Sequence, residues 1–161
     1  MTLMISLLAV LVLLFGFVVF FGAPYVPTHK KQTETALDLL ALKPGQTLLE
    51  LGCGDGRVLR AAARRGIRSV GYELSPLLFV IAWLATLRYR KLIKVRWANY
   101  WSAKWPPAEG IYVFLLDKYM PKLDRAIKQK HRPLKVVSFA FKIPGKRAAV
   151  SKHGLFLYLY E

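Results

Sequence analysis

Two acids and the glycines between them carry most of the chemistry legible in this chain. Glu50 stands in the apolar run Leu48-Leu49-Glu50-Leu51, and Glu73 closes Val70-Gly71-Tyr72-Glu73. Between the runs lie Gly52, Gly54 and Gly56, alternating with Cys53 and Asp55. Glycine tolerates positive φ and lets a ligand approach the backbone. A glycine loop that ends a strand and opens a helix offers free N–H groups to an anionic group. A dinucleotide fingerprint would need a third glycine at position 57, where Arg57 stands, and no Gly-Lys-Ser/Thr follows to make a P-loop. The residues after Gly56 read as helix, which argues against a simple Asp55-Gly56 hairpin turn.

These residues need a strand–loop–helix–strand frame. Thr47–Leu51 reads as a first strand, 56–65 as a helix and 69–73 as a second strand. The helix turns Val58, Leu59, Ala62 and Ala63 inward and Arg60, Arg64 and Arg65 to water. A helix over 33–41 precedes this unit. Ser75 and Pro76 form an N-cap and first helical position for a helix running to about Arg90. Strands follow at 93–98, 111–116, 134–141 and 155–160, with a loop at 101–110 and a helix at 118–129. Strands alternating with helices predict an α/β fold, a mostly parallel sheet with helices on both faces. Ligands of such sheets sit beyond the carboxyl ends of the strands. That rule gathers Glu50, the glycine loop, Glu73, Asn99 and Asp117 on one rim.

The spacing Gly52-x-Gly54-x-Gly56 with Glu73 17 residues later resembles the class I S-adenosylmethionine-dependent methyltransferases. The lead-in 42–47 before the first strand is also similar to that family. The resemblance implies a Rossmann-like domain with S-adenosylmethionine as cofactor. Gly52, Cys53, Gly54, Asp55 and Gly56 would take its methionine part, and Glu50 would pair with the amino group. Glu73 would hold the ribose hydroxyls, Leu74 would cover an adenine face, and Asn99 would meet the adenine edge. Asp117 faces the reacting atom in this scheme and would orient or deprotonate an amine. A surface ion pair with Lys118 or Lys122 is the competing role. Tyr119, or Tyr25 in the linker, would add an aromatic wall. Cys53 is the only cysteine, so no disulfide forms within the chain. No metal is expected.

Residues 3–23 carry no charge and are rich in Leu, Val, Ile and Phe. As a helix they would span about 31 Å, the thickness of a bilayer core. A cleaved signal peptide would want a positive start, and none of the first 28 residues is charged. A single membrane anchor is therefore expected at 3–23, followed by a linker and first helix at 24–46 and a cofactor domain at 47–161. His29, Lys30 and Lys31 after the anchor put that domain in the cytoplasm, at a cell membrane. All 25 Lys and Arg and all 9 Asp and Glu follow the anchor, for a net charge of +16. Anionic lipid head groups are the expected partner of this charge. Nucleic acid is the lesser candidate, suggested by aromatics among the bases in 88–91 and 94–97.

Almost the whole chain resembles one smaller family, the membrane-anchored lysine methyltransferases of mitochondria. Their substrates are the ATP synthase c-subunit and the adenine nucleotide translocase. The likeness runs through Pro24-Tyr25-Val26-Pro27-Thr28, residues 49–57, Ala61-Ala62-Ala63 and 71–76. Asn99-Tyr100-Trp101 departs from the expected Asp-Leu-Trp, and the region around Asp117 diverges most. The resemblance implies lysine N-methylation of a membrane protein. Two other readings stand beside it: methyl transfer to a lipid, a quinone-like molecule or RNA, and a non-catalytic tethered module that binds nucleic acid or anionic lipid.

Overall fold

The computed structural model describes residues 28–130 and 134–160, with isolated positions 2, 4–6 and 9 before them. The anchor expected at 3–23 falls outside the described residues apart from those positions, and Tyr25 falls outside them altogether. Among the described residues no helix is long and apolar enough to cross a membrane.

Seven strands form one sheet: β1 (Thr47–Leu51), β2 (Arg68–Glu73), β3 (Ile93–Trp97), β4 (Gly110–Val113), β5 (Leu134–Phe139), β6 (Val150–Lys152) and β7 (Leu155–Tyr160). Their order is β3-β2-β1-β4-β5-β7-β6. The first five are parallel, and β7 runs antiparallel to both β5 and β6. The chain winds outward from β1 to β3, then starts again at β4 on the other side. The crevice for a ligand opens where that direction reverses, above β1 and β4.

Among the described residues four α-helices cover the sheet: α1 (Lys30–Leu40), α2 (Arg57–Arg64), α3 (Pro76–Thr86) and α4 (Met120–Lys130). Side chains alternate between faces along β1. Leu48 packs with Leu37, Leu40, Val58 and Ala62 of α1 and α2. Leu49 and Leu51 pack with Met120, Leu123 and Ile127 of α4 on the opposite face. The loop between β3 and β4 stands in for a covering helix there. Its Trp105 is buried in the same cluster as α4 and donates its indole N–H to the Tyr100 carbonyl at 2.7 Å.

The Rossmann-like order expected from the sequence is present, with several local differences. The apolar run 111–116 is strand only to Val113. Phe114 instead lies against the Phe139 ring at 4.7 Å, and Leu115 is buried beyond the strand end. The third α-helix stops at Thr86, whose hydroxyl bonds back to the Ala82 carbonyl at 2.8 Å. A single 3₁₀ turn, Leu87–Tyr89, follows it. Strand β6 was not foreseen, because its three exposed residues carry no apolar pattern. The three arginines expected to face water each reach an acid, Arg64 meeting Glu34 at 3.9 Å. Arg65 is paired with Glu34 and Asp38 of α1, and Arg60 reaches Asp55 at 3.8 Å.

Gly71 of β2 sits where α2 meets the sheet. A Cβ there would lie 2.6 Å from Leu59 Cδ1 and 2.8 Å from both side-chain atoms of Cys53. Gly71→Ala is therefore expected to cost about 1–3 kcal/mol through overpacking. The check is a fall in denaturant midpoint with an unchanged slope; an unmoved midpoint refutes the close approach.

Candidate active site

Glu73 ends β2, and its carboxylate ties the rim together. Oε2 accepts the Gly54 N–H at 2.8 Å, and Oε1 accepts those of Leu74 and Ser75 at 2.9 Å each. The glycine loop and the start of α3 are thus fixed to one side chain. Burial raises the Glu73 acid above its ordinary value, and the three N–H bonds oppose that rise. Oε1 is committed to the backbone, so Oε2 is the oxygen left with capacity for a ligand hydroxyl.

The loop itself is shaped by its glycines. Gly52 has φ +86°, and its amide and that of Cys53 both donate to the Tyr72 carbonyl at 3.0 and 2.9 Å. A Cβ on Gly52 would meet no atom within 4 Å, so the loop keeps open space on its ligand side. Gly56 has φ +73° and serves packing instead: its Cβ would lie 3.1 Å from Thr86 Cγ2 of α3.

Glu50 lies directly behind the loop. In the sheet it stands between Gly71 of β2 and Tyr112 of β4. Its carboxylate is buried, and among the described residues Oε2 has no hydrogen-bond partner. Burial raises its acid well above the ordinary carboxylate range, and the charges of Asp55 and Glu73 add to the effect. A buried acceptor without a donor is costly unless a ligand completes it. The pairing expected from the sequence, with the amino group of a methionine moiety, is what this oxygen would accept. The residues present therefore fit such a group.

Two side chains of the loop are engaged within the protein. The Asp55 carboxylate is taken by Arg57, whose Nε and Nη2 reach its oxygens at 2.9–3.2 Å. Burial pushes the Asp55 acid up, but the Arg57 bonds and the Arg60 charge outweigh it and leave it low. The Asp55 side chain thus braces the loop. Cys53 turns inward against Gly71, and burial pushes its thiol well up, with the Glu50 and Glu73 charges adding. That excludes a ready nucleophile.

The outer rim is formed by the ends of β3 and β4. Leu74 is half-buried, and its carbonyl accepts the Trp97 indole N–H at 3.0 Å. Asn99 is exposed, and its Oδ1 accepts the Trp101 N–H at 3.0 Å, the geometry of an Asx turn. Its amide nitrogen and the second lone pair of Oδ1 are what it can offer a ligand. Asp117 is exposed at the start of a 3₁₀ turn, Asp117–Tyr119. The lysines expected to compete for it lie over aromatic rings instead. Lys118 Nζ is 5.0 Å from the Tyr119 ring centre, and Lys122 Nζ is 4.4 Å from that of Trp101.

Sequence reasoning expected Tyr119 in an aromatic wall here but missed Tyr100 and Trp101, whose rings join it. The rings of Tyr100 and Trp101 are 4.8 Å apart, and those of Trp101 and Tyr119 are 6.1 Å apart. Burial raises the Tyr100 phenol, with smaller contributions from Tyr119 and Glu73, so it belongs to the same rim. It also missed a clamp on the chain before α1. Arg57 Nη1 donates to the Thr28 carbonyl at 3.0 Å, and the Thr28 hydroxyl is 3.0 Å from that of Tyr112. The only sequence hint of this clamp was negative: Arg57 occupies the place of a dinucleotide glycine.

Comparison with known proteins agrees with this geometry. Residues 50–149 match the family described as the ANTKMT methyltransferase domain. The chain is 28% identical over 126 residues to a lysine N-methyltransferase of the ATP synthase c-subunit from Xenopus laevis, covering 75% of this chain and 54% of that protein. It is 33% identical over 126 residues to an adenine nucleotide translocase lysine N-methyltransferase of Mus musculus, with the same 75% and 54% coverage. The chain thus spans about half the length of these curated relatives. Among solved structures, it is similar to an RNA methyltransferase from Salinibacter ruber in complex with S-adenosyl-L-homocysteine. That likeness has a TM-score of 0.76 at 28% identity and covers 84% of this chain and 92% of that one.

Proposed function

Because the chain belongs to the ANTKMT methyltransferase domain family, we propose that it is an S-adenosylmethionine-dependent methyltransferase acting on a lysine side chain of a membrane protein. The observation that carries the proposal is the buried, unpartnered Oε2 of Glu50 behind a glycine loop that Glu73 already holds. Glu50 would pair with the amino group of the cofactor, the glycine loop would take its carboxylate, and Oε2 of Glu73 would take a ribose hydroxyl. Leu74 and the Asn99 amide nitrogen border the adenine. When bound, the cofactor supplies a methyl group already activated on a sulfonium sulfur.

The protein then has to align the acceptor and remove its proton. A lysine ammonium has a reference pKa of roughly 10.4. Tyr100, Trp101 and Tyr119 give it an aromatic wall, and Lys122 over Trp101 is an internal example of that contact. Asp117 orients the incoming ammonium and accepts its proton, a loss that the positive sulfonium of the bound cofactor would favour. Asp117→Asn is expected to lower kcat about 10-fold or more while cofactor affinity stays the same. An unchanged kcat would make Asp117 a surface residue. The segment at 3–23 holds the domain at the membrane where this substrate lies.

A second acceptor, RNA, is favoured by the net charge of +16 and by the Salinibacter ruber likeness. One experiment separates the two. Purified protein is given methyl-labelled S-adenosylmethionine and membranes from a strain lacking the gene, and products are split into protein, lipid and RNA. Gly54→Arg serves as the inactive control, since it fills the loop against the cofactor. Label mapped to lysine in one protein band is expected; label in RNA or lipid overturns the acceptor, and no label in any fraction overturns the enzyme.

A further inference from the structure

Helix α3 is an anomaly in this fold. Its sequence, Pro76-Leu77-Leu78-Phe79-Val80-Ile81-Ala82-Trp83-Leu84-Ala85-Thr86, is almost wholly apolar, yet only Ala82 and Thr86 are buried. A helix on a sheet normally turns its large apolar side chains to the core and its polar ones to water. Here small residues face the core. Leu77, Val80, Ile81 and Leu84 recur at the three- and four-residue spacing of one outward face. Leu77 is 53% exposed, Trp83 49% and Leu84 55%. Trp97 of the adjoining edge strand β3 is 62% exposed, and its ring lies 6.3 Å from that of Phe79. A contiguous apolar patch of this kind marks an interaction surface.

The charge around it selects the occupant. No Asp or Glu occurs between Glu73 and Glu109. Arg88, Arg90 and Lys91 follow the helix, and Lys94 lies on β3; all four are at least partly exposed. A second copy docking by this face would bring the same cations together, which is unfavourable. Apolar side chains, indoles and flanking cations without acids are instead the composition of a surface that lies in the head-group region of an anionic bilayer. Long basic side chains reach the phosphates while the helix face meets the acyl boundary.

We propose that the outer face of α3, with Trp97 beside it, seats on an anionic lipid surface. This contact is additional to the segment at 3–23. It rests on the membrane part of the reading above and is independent of which molecule accepts the methyl group. Because Trp97 holds the Leu74 carbonyl, the contact puts the adenine side of the rim at the lipid surface.

The test uses the full chain with Leu84→Cys carrying an environment-sensitive fluorophore. Cys53 is buried with a raised thiol and stays unlabelled. Gln129→Cys on α4, across the sheet, is the reference position. The chain is reconstituted with vesicles of phosphatidylcholine alone or with phosphatidylserine added. The label at 84 is expected to shift blue and to be quenched several-fold more by a lipid-borne quencher than the label at 129, most strongly with phosphatidylserine. A chain that floats with vesicles while both labels stay equally open to iodide overturns the surface but leaves the anchor. A chain that does not float overturns both. A blue shift without vesicles also overturns the surface: one that scales with protein concentration assigns the face to a second copy, and one that does not assigns it to the chain's own N-terminal segment.

Discussion

Replacing Glu73 by alanine is expected to weaken S-adenosylmethionine binding and to lower the stability of the domain at once. The first effect follows from loss of the ribose acceptor; a hydrogen bond to a charged group contributes about 1.5–3 kcal/mol, a loss of roughly 10- to 100-fold in affinity. The second follows from three backbone N–H groups, of Gly54, Leu74 and Ser75, that lose their acceptor together. Leaving a buried donor unsatisfied costs about 1–3 kcal/mol, reduced where water enters. Recovery of the carboxylate's own burial cost offsets part of this, so a net loss of about 2–4 kcal/mol and several degrees in Tm is expected. Glu73→Gln keeps one acceptor oxygen and should fall between. Calorimetric titration and thermal unfolding read both effects, and equal cofactor affinity for Glu73→Ala and wild type would end the ribose assignment.

Glu50→Gln has the opposite signature: better stability and poorer binding. Burial first, then the carboxylates of Asp55 and Glu73, hold the folded-state acid of Glu50 above its unfolded value. The folded protein therefore binds more protons than the unfolded chain once pH passes the ordinary carboxylate pKa, about 4.3. Stability then falls as pH rises through that window and levels off above the raised folded pKa. Glu73 acts in the same sense, because burial raises it too. Without cofactor, wild type should lose Tm from acidic to neutral pH. Glu50→Gln should flatten the slope and raise the neutral Tm, with the Glu73 share remaining. Cofactor affinity should drop about 10- to 100-fold, the worth of a charge-assisted bond, and lose its rise with pH. Parallel Tm profiles for the two proteins would show that Oε2 carries no burial cost.

How legible all this was in the sequence depends on the kind of signal involved. Thr47–Leu51 and Leu155–Tyr160 were read with their observed limits, because apolar residues bounded by turn residues have few other folds open to them. Ser75 and Pro76 marked the start of α3 for a local reason, and the Ser75 hydroxyl does accept the Leu78 N–H. The run 111–116 misled because apolarity reports burial, and Phe114 and Leu115 are packed without belonging to a strand. At the site, glycine spacing located the loop and both acids. It did not reveal that Asp55 is held by Arg57, or that the Asn99 oxygen already accepts an N–H of its own turn. Those are competitions between side chain and ligand for the same atoms, and spacing carries no information about which partner wins. The aromatic wall joins residues from the ends of two strands, so no single stretch could signal it.

The grip of the fold on Thr28 has a mechanical meaning. Its carbonyl is held by Arg57 and its hydroxyl lies against that of Tyr112, one strand from Glu50. Thr28 is thus a fixed point beside the candidate site, and the residues preceding it are tethered there. Whatever surface retains those residues sets a working radius for the site. Within that radius a target is met at a high local concentration, and a loose grip on it is enough. Selectivity then comes from address more than from affinity: what is modified is what stands within reach.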